Sequence, residues 1–231
     1  MAELLHLPEA VLFDLDGTLV DSEGLWQRAY RTWADRRGVA LGSGWWDQVV
    51  GASLAGSLAA LRPEPAHEDV EEEVADLVAT AAALLATTGA AGPLVTWRAG
   101  ARELLAALDA AGLPTAVVTS SPRVVLDAIA ARLGIEVVTS VAGDEVARAK
   151  PAPDGYLAAA SELEVDPAGC VVVEDSPTGV AAAEAAGMRV LAVPASVPVP
   201  AAPTRRVVAS LEGVDLGVLA RLPPPAAPTS R

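Results

Sequence analysis

Cysteine is almost missing from these 231 residues: Cys170 stands alone, so neither an internal disulfide nor a thiolate metal cluster can form, which fits a reducing cytoplasm. Lysine is equally scarce, with Lys150 the single example among sixteen basic residues. Thirty acidic residues outweigh those sixteen and leave a net charge of −14, which excludes the broad phosphate-binding surface that nucleic acids demand. Any anionic ligand must therefore be held by a local site and not by the overall field. No run of about 18 uninterrupted apolar residues occurs; even Val74 to Ala86 is broken by Asp76 and Thr80, so no membrane span is expected. Met1 to Ala10 has no basic leader, and no secretory signal is expected either.

What is abundant is apolar surface. Hydrophobic residues make up 52% of the chain and charged ones 20%, enough to bury a core and too apolar for wholesale disorder. At roughly 150 residues per domain the length fits one domain with a large insertion, or two small domains.

Five short apolar runs read as buried strands: Val11-Leu12-Phe13, Thr115 to Thr119, Val137-Val138-Thr139, Cys170 to Val173 and Val190 to Val193. Helical spacing appears between them, at Ala101, Leu104, Leu105 and Leu108, at Val125, Ile129 and Leu133, at Tyr156, Leu157 and Ala160, and from Gly179 to Ala186, closed by Gly187. Strands apolar on both faces that alternate with helices predict a doubly wound parallel α/β sheet with right-handed crossovers. Such sheets bind ligands at the carboxyl ends of their strands. From Ser22 to the Gly92-Pro93 break the pattern is helical throughout. Leu25, Ala29 and Trp33 share one face; Val70, Val74, Leu77, Val78, Ala81, Leu84 and Leu85 form a second stripe, with Glu68, Asp69 and Glu71 to Glu73 where a helix dipole favours anions. Pro194 to Pro203 reads as an irregular connector, Val207-Val208 as an edge strand, Asp215 to Leu222 as a closing helix, and the Pro- and Ala-rich end as a frayed tail.

Four clusters could carry chemistry. In Asp14-Leu15-Asp16-Gly17-Thr18, an extended backbone would point both carboxylates at one spot and Leu15 into the core. Like charges so close call for a divalent cation or a shifted pKa, and Gly17 lets backbone N–H groups approach an anion; an ordinary Asp-Gly turn is the alternative. Thr119-Ser120-Ser121, before a helix near Pro122, offers neutral anion donors or a plain helix cap. Lys150, in Lys150-Pro151-Ala152-Pro153, is a point cation or part of a stiff turn. Glu174-Asp175-Ser176 supplies hard oxygen ligands of the kind Mg²⁺ takes, or caps the next helix. All four fall at the carboxyl ends of predicted strands, which independent structural roles would not arrange. The five tryptophans are expected in the core, with Trp26 and Trp46 the candidates for contact with a sugar. His6 and His67 read as surface residues, and Cys170 as a small buried hydrophobe.

These motifs resemble those of the haloacid dehalogenase superfamily of phosphotransferases, in the branch with a small helical cap. The shared features are the Asp-x-Asp-Gly-Thr loop, a strand ending in Thr119, a lysine before Pro-x-Pro and the acidic pair Glu174-Asp175. Asp21-Ser22-Glu23-Gly24-Leu25-Trp26 looks like the Asp-Ser-Glu-Pro-Leu-Trp of hexitol- and other sugar-phosphate phosphatases. The resemblance implies a Rossmann-like core in residues 1–21 and 94–222, a helical cap in 22–93 and a disordered tail in 223–231. It implies a cytoplasmic monomer or weak dimer acting on a small phosphorylated substrate, with no nucleic-acid or membrane partner.

It also implies roles. Asp14 is the nucleophile, Asp16 the general acid and base, and Thr119 and Lys150 stabilise the transferring group. Leu15, Gly17, Ser120 and Ser121 bind phosphate, with Glu23 and Trp26 on the substrate side. Mg²⁺ is implied on Asp14, Asp16 through its carbonyl oxygen, and Asp175, with Glu174 a further candidate. β-Phosphoglucomutases share the core motifs but carry a histidine where this chain has Trp26, and a cap arginine after Gly-x-Ser where Gly51-Ala52-Ser53 is followed by Leu54. Dehalogenases dispense with the second aspartate, which is present here. Hydrolysis is the expectation, with a mutase or a non-catalytic binding protein as alternatives.

Overall fold

The computed structural model describes residues 7–50, 52–62, 69–87 and 93–225. His6, Gly51, His67, Glu68, Gly92 and residues 226–231 of the expected tail lie outside the described residues. Six parallel strands form the central sheet: β1 (Ala10–Phe13), β4 (Thr115–Val118), β5 (Thr139–Val141), β6 (Cys170–Glu174), β7 (Arg189–Ala192) and β8 (Arg205–Val207), in the order β5-β4-β1-β6-β7-β8. A short antiparallel pair, β2 (Val20–Asp21) and β3 (Thr96–Trp97), stands apart from it. The chain builds outward from β1 to β5, then crosses back to β6 on the other flank of β1. That reversal is the topological switch point at which such sheets bind ligands.

Alternation along each strand divides the core into two layers. Val11, Phe13, Val117, Val171, Val173 and Leu191 face α5 (Ala101–Ala110) and α6 (Arg123–Leu133). Ala10, Leu12, Ala116, Val118, Val172 and Val190 face α7 (Asp154–Glu162) and α8 (Pro177–Ala185), together with Cys170. Between β2 and β3 lie α1 (Glu23–Arg37), α2 (Trp45–Val49), α3 (Leu54–Leu61) and α4 (Val70–Ala86). Leu25, Ala29 and Trp33 of α1 are fully buried, and α1 packs against α4. The short helix α9 (Leu216–Ala220) closes the chain, capped by Asp215. Among the described residues no helix is long and apolar enough to cross a membrane.

Several sequence expectations shift. The third strand is Thr139–Val141, not Val137–Thr139: Val138 is 69% exposed, and pairing with β4 begins at Thr139 opposite Ala116. The edge strand is Arg205–Val207, set by Val190 pairing with Arg205, and Val208 lies beyond it. Val70, assigned to the apolar stripe of α4, is exposed, whereas Glu73, expected in the first turn for the helix dipole, is there but buried against Arg37 and Arg62. Arg37 and Arg62 also lie over the Trp33 ring, so this carboxylate is neutralised inside the helical layer.

Gly100 has φ +81°, and a β-carbon there would meet the Leu211–Glu212 backbone within 2.4 Å. Gly100→Ala is expected to destabilise the protein by more than about 1 kcal/mol, read as a lowered urea midpoint with an unchanged slope. An unaltered midpoint would contradict this account of the contact.

Candidate active site

Register places the acids. Phe13 pairs with Val173, so the next residues, Asp14 and Glu174, leave the sheet side by side, and the Asp14 N–H donates to Val173 O at 3.0 Å. The chain does not remain extended after Asp14, as the sequence reading assumed. It curls so that the Leu15 carbonyl accepts from the N–H groups of both Leu19 and Val20 at 3.0 Å. Gly17, at φ +91°, lets this loop pass Asp175: a β-carbon there would lie 2.3 Å from its Oδ2. Asp14 and Asp16 still open into one cavity of about 500 Å³. It is lined also by Gly17, Glu23, Trp26, Trp46, Thr119, Ser120, Ser121, Lys150 and Asp175. Leu15 is wholly buried in the core and does not line the cavity.

Lys150 follows the loop after β5. Its ammonium donates to Asp14 Oδ1 at 2.7 Å, Glu174 Oε1 at 2.8 Å and Val118 O at 2.9 Å, tying together the ends of β1, β4 and β6. Glu174 is fully buried behind it. Tyr156 donates to Oε1 at 3.0 Å, and Ser176 donates to Oε2 through its N–H and its hydroxyl. Ser176 also caps α8, so the capping role left open in the sequence belongs to this residue. By contrast, Pro122 precedes α6 with no side-chain cap; Thr119 and Ser121 turn to Asp16 instead.

Four donors converge on Asp16. Ser22 Oγ at 2.5 Å and Trp26 Nε1 at 3.3 Å reach Oδ1; Thr119 Oγ1 at 3.2 Å and Ser121 Oγ at 2.7 Å reach Oδ2. Trp26, expected to face a sugar, thus also orients the second aspartate. Glu23 lines the cavity with Oε1 held by Ser196 Oγ at 2.6 Å. Trp46 joins Tyr30 and Trp45 in an aromatic cluster on the helical wall. The sequence reading missed Tyr156, Ser196 and Arg98. Tyr156 was visible only as a helix-face residue, Ser196 sat in a proline-rich connector, and Arg98 lines the cavity from just beyond β3.

Burial raises the Asp14 carboxyl well above its usual range; Lys150 works against this, and Glu174, Asp175 and Asp16 reinforce it. Burial likewise pushes Asp175 up to about 7, helped by Glu174 and opposed by Lys150 and by the Thr18 hydroxyl. Burial alone would lower the Lys150 ammonium, but Asp14 and Glu174 more than offset it and hold it well above normal. Asp14, Glu174 and Asp175 each bring an oxygen within 4.8 Å of the others. Hard oxygen donors with excess negative charge fit a divalent cation such as Mg²⁺.

The family model for haloacid dehalogenase-like hydrolase matches residues 8–187. Hexitol phosphatase A of Escherichia coli (strain K12) is 39% identical over 194 residues, 82% of this chain and 84% of the relative. Validoxylamine A 7'-phosphate phosphatase of Streptomyces hygroscopicus subsp. limoneus is 35% identical over 190 residues, 78% and 83% of the two chains. Among solved structures, CbbY from Rhodobacter sphaeroides in complex with phosphate superposes with a TM-score of 0.77 at 27% identity, covering 90% of this chain and 96% of that one.

The raised carboxyls have a thermodynamic consequence. Without a cation, the folded state keeps protons on Asp14 and Asp175 that the unfolded chain releases above about pH 4, so stability falls as pH rises toward about 7. A dication bound there would take the place of those protons. Thermal unfolding in EDTA should therefore show Tm declining between about pH 5 and about pH 8, and Mg²⁺ should flatten that slope. The same decline with and without Mg²⁺ would refute the assignment.

Proposed function

The chain belongs to the haloacid dehalogenase-like hydrolases, and on that premise we propose that it hydrolyses the phosphomonoester of a small metabolite, a sugar or polyol phosphate, through a phosphoaspartate on Asp14. The observation that carries this reading is the pairing of Asp14 with Lys150 at 2.7 Å on a cavity that also exposes Asp16. Residues 22–93 act as a cap over the core of residues 1–21 and 94–222. A cytoplasmic monomer or weak dimer completes the reading; the lone, buried Cys170 supports the location.

Asp14 attacks phosphorus in line, forming an oxygen–phosphorus bond as the bond to the sugar oxygen breaks. Asp16 gives its proton to that departing oxygen, then takes one from the water that cleaves the phosphoaspartate. In its ionised form the carboxylate is positioned by Ser22, Trp26, Thr119 and Ser121, and one of these bonds gives way when it carries the proton. Thr119 and the N–H groups of Asp16 and Ser120 receive the phosphoryl oxygens, and Lys150 offsets their charge; the Gly17 and Ser121 N–H groups are already committed to Val20 O at 2.7 Å and Thr119 Oγ1 at 3.0 Å. Asp14, Asp175 and the Asp16 carbonyl oxygen, with Glu174 beside them, would hold Mg²⁺, which supplies charge screening between nucleophile and phosphate. Glu23 accepts from a substrate hydroxyl. Trp26 in place of the histidine of the family's mutases, and Leu54 in place of their arginine after Gly-x-Ser, support hydrolysis over phosphoryl transfer within a sugar.

Two variants test the scheme. Asp14→Asn should lower kcat on p-nitrophenyl phosphate by roughly a thousandfold or more, and acid quench of the parent enzyme should trap phosphate on Asp14. Equal turnover in both proteins would rule the scheme out. Trp26→Phe keeps the aromatic ring and removes one donor to Asp16, so kcat on sugar phosphates should drop roughly tenfold; an unchanged kcat would deny Trp26 its orienting role.

A further inference from the structure

Two cations line the cavity, Lys150 and Arg98, and they differ in what they touch. Lys150 is committed to Asp14, Glu174 and Val118 O. The Arg98 guanidinium has no hydrogen bond and no acidic partner among the described residues. Arg28, Arg102 and Arg206 are likewise without an acidic partner among the described residues, but Arg98 differs from them in lining the cavity; Arg37, Arg123, Arg148 and Arg205 pair with carboxylates elsewhere. Nor do the acids of the cavity wall wait for Arg98. Asp16 has its four donors, Asp21 accepts from the Glu23 N–H at 3.1 Å, Glu23 from Ser196, and Asp175 from Thr18 at 3.3 Å.

The position of Arg98 is fixed by its backbone. Its N–H donates to Leu19 O at 2.9 Å, one step beyond the Val20–Trp97 pair, and its carbonyl accepts from the Ala101 N–H at 3.1 Å at the start of α5. Its backbone is thus tied to the end of a paired strand, and the side chain reaches the cavity wall from there. Its planar fork matches the two oxygens of a carboxylate or phosphate.

We propose that Arg98 is a specificity-determining residue that receives a second anionic group, phosphate or carboxylate, on a substrate whose scissile phosphate sits at Asp14. The favoured substrates are then phosphorylated sugars or polyols with a second negative charge, and a plain monophosphate leaves Arg98 unused. This inference rests on the hydrolase reading above, because that reading places the scissile phosphate.

The test uses the full chain carrying Asp14→Asn to block turnover, with and without Arg98→Ala or Arg98→Lys. Binding of glucose 6-phosphate, glucose 1,6-bisphosphate and 6-phosphogluconate is measured by calorimetry. Loss of Arg98 should reduce the ratio of doubly to singly charged ligand affinity by roughly 10- to 100-fold, and lysine should restore part of it. The ligand that shows the larger loss tells phosphate from carboxylate. Equal change for all three ligands, no change for any, or no binding of either doubly charged ligand overturns the proposal. Failure of the unmutated protein to hydrolyse p-nitrophenyl phosphate, with the selective loss intact, would instead sink the hydrolase reading and leave the anion subsite standing.

Discussion

The Lys150 ammonium lies where β1, β4 and β6 end, bonded to Asp14, Glu174 and the Val118 carbonyl. Three carboxylates crowd this point, and one ammonium neutralises only part of their charge. Water cannot help much, since the side chains of Lys150, Asp14 and Glu174 are at most 10% exposed. Removing Lys150 would leave buried acids unpaired, a cost of several kcal/mol in proteins generally. The residual negative charge is what makes the site receptive to a dication, and it adds to burial in raising the Asp14 and Asp175 carboxyls. The charge imbalance is a property of the sheet's register. Phe13 against Val173 sets Asp14 beside Glu174 whatever the cavity contains.

Behind this cluster, α7 and α8 make a buried glutamate tolerable. Tyr156 of α7 donates to Glu174 and lays its ring 4.9 Å from the Lys150 ammonium, so one side chain stabilises both charges. From α8, Ser176 satisfies the other Glu174 oxygen, and Gly179 leaves room for it, since a β-carbon there would overlap the carboxylate. The alanine-rich face of α8 brings the helix close enough for these bonds. A buried carboxylate with every partner in place is rigid, and Lys150 inherits that rigidity.

The core of the site was legible because its residues sit at a change of character, where a short apolar run spills into polar residues. Asp14 and Thr119 follow, and Glu174 ends, strands that must be buried on both faces, and a parallel sheet brings those ends to one edge. What escaped depended on partners distant in sequence. β2 and β3 are two residues each, too short for any periodicity, so Arg98 carried no mark of its place beside Leu19. Val137-Val138 looked like strand because both are apolar, yet pairing with β4 decides where β5 starts. Ser196 lies in a stretch whose composition signals irregularity and nothing about which wall it completes. The mutual orientation of Asp14 and Asp16 was anticipated for the wrong reason: the curl onto the Leu15 carbonyl, not an extended chain, brings them together.

Asp16 links the two parts of the molecule. Its Oδ1 is held from the helical side by Ser22 and Trp26, and its Oδ2 from the sheet side by Thr119 and Ser121. The first pair flanks the start of α1, which is anchored through Trp33 and its packing on α4. The second pair stands at the end of β4, whose register is set by β1 and β5. A shift of α1 away from the sheet would break two of the four bonds and leave Asp16 free to turn, whereas Asp14, held only by groups of the sheet side, would not move. Asp14 and Asp16 therefore differ in kind. The first is positioned by the sheet alone, and the second is in place only while the helical layer is seated.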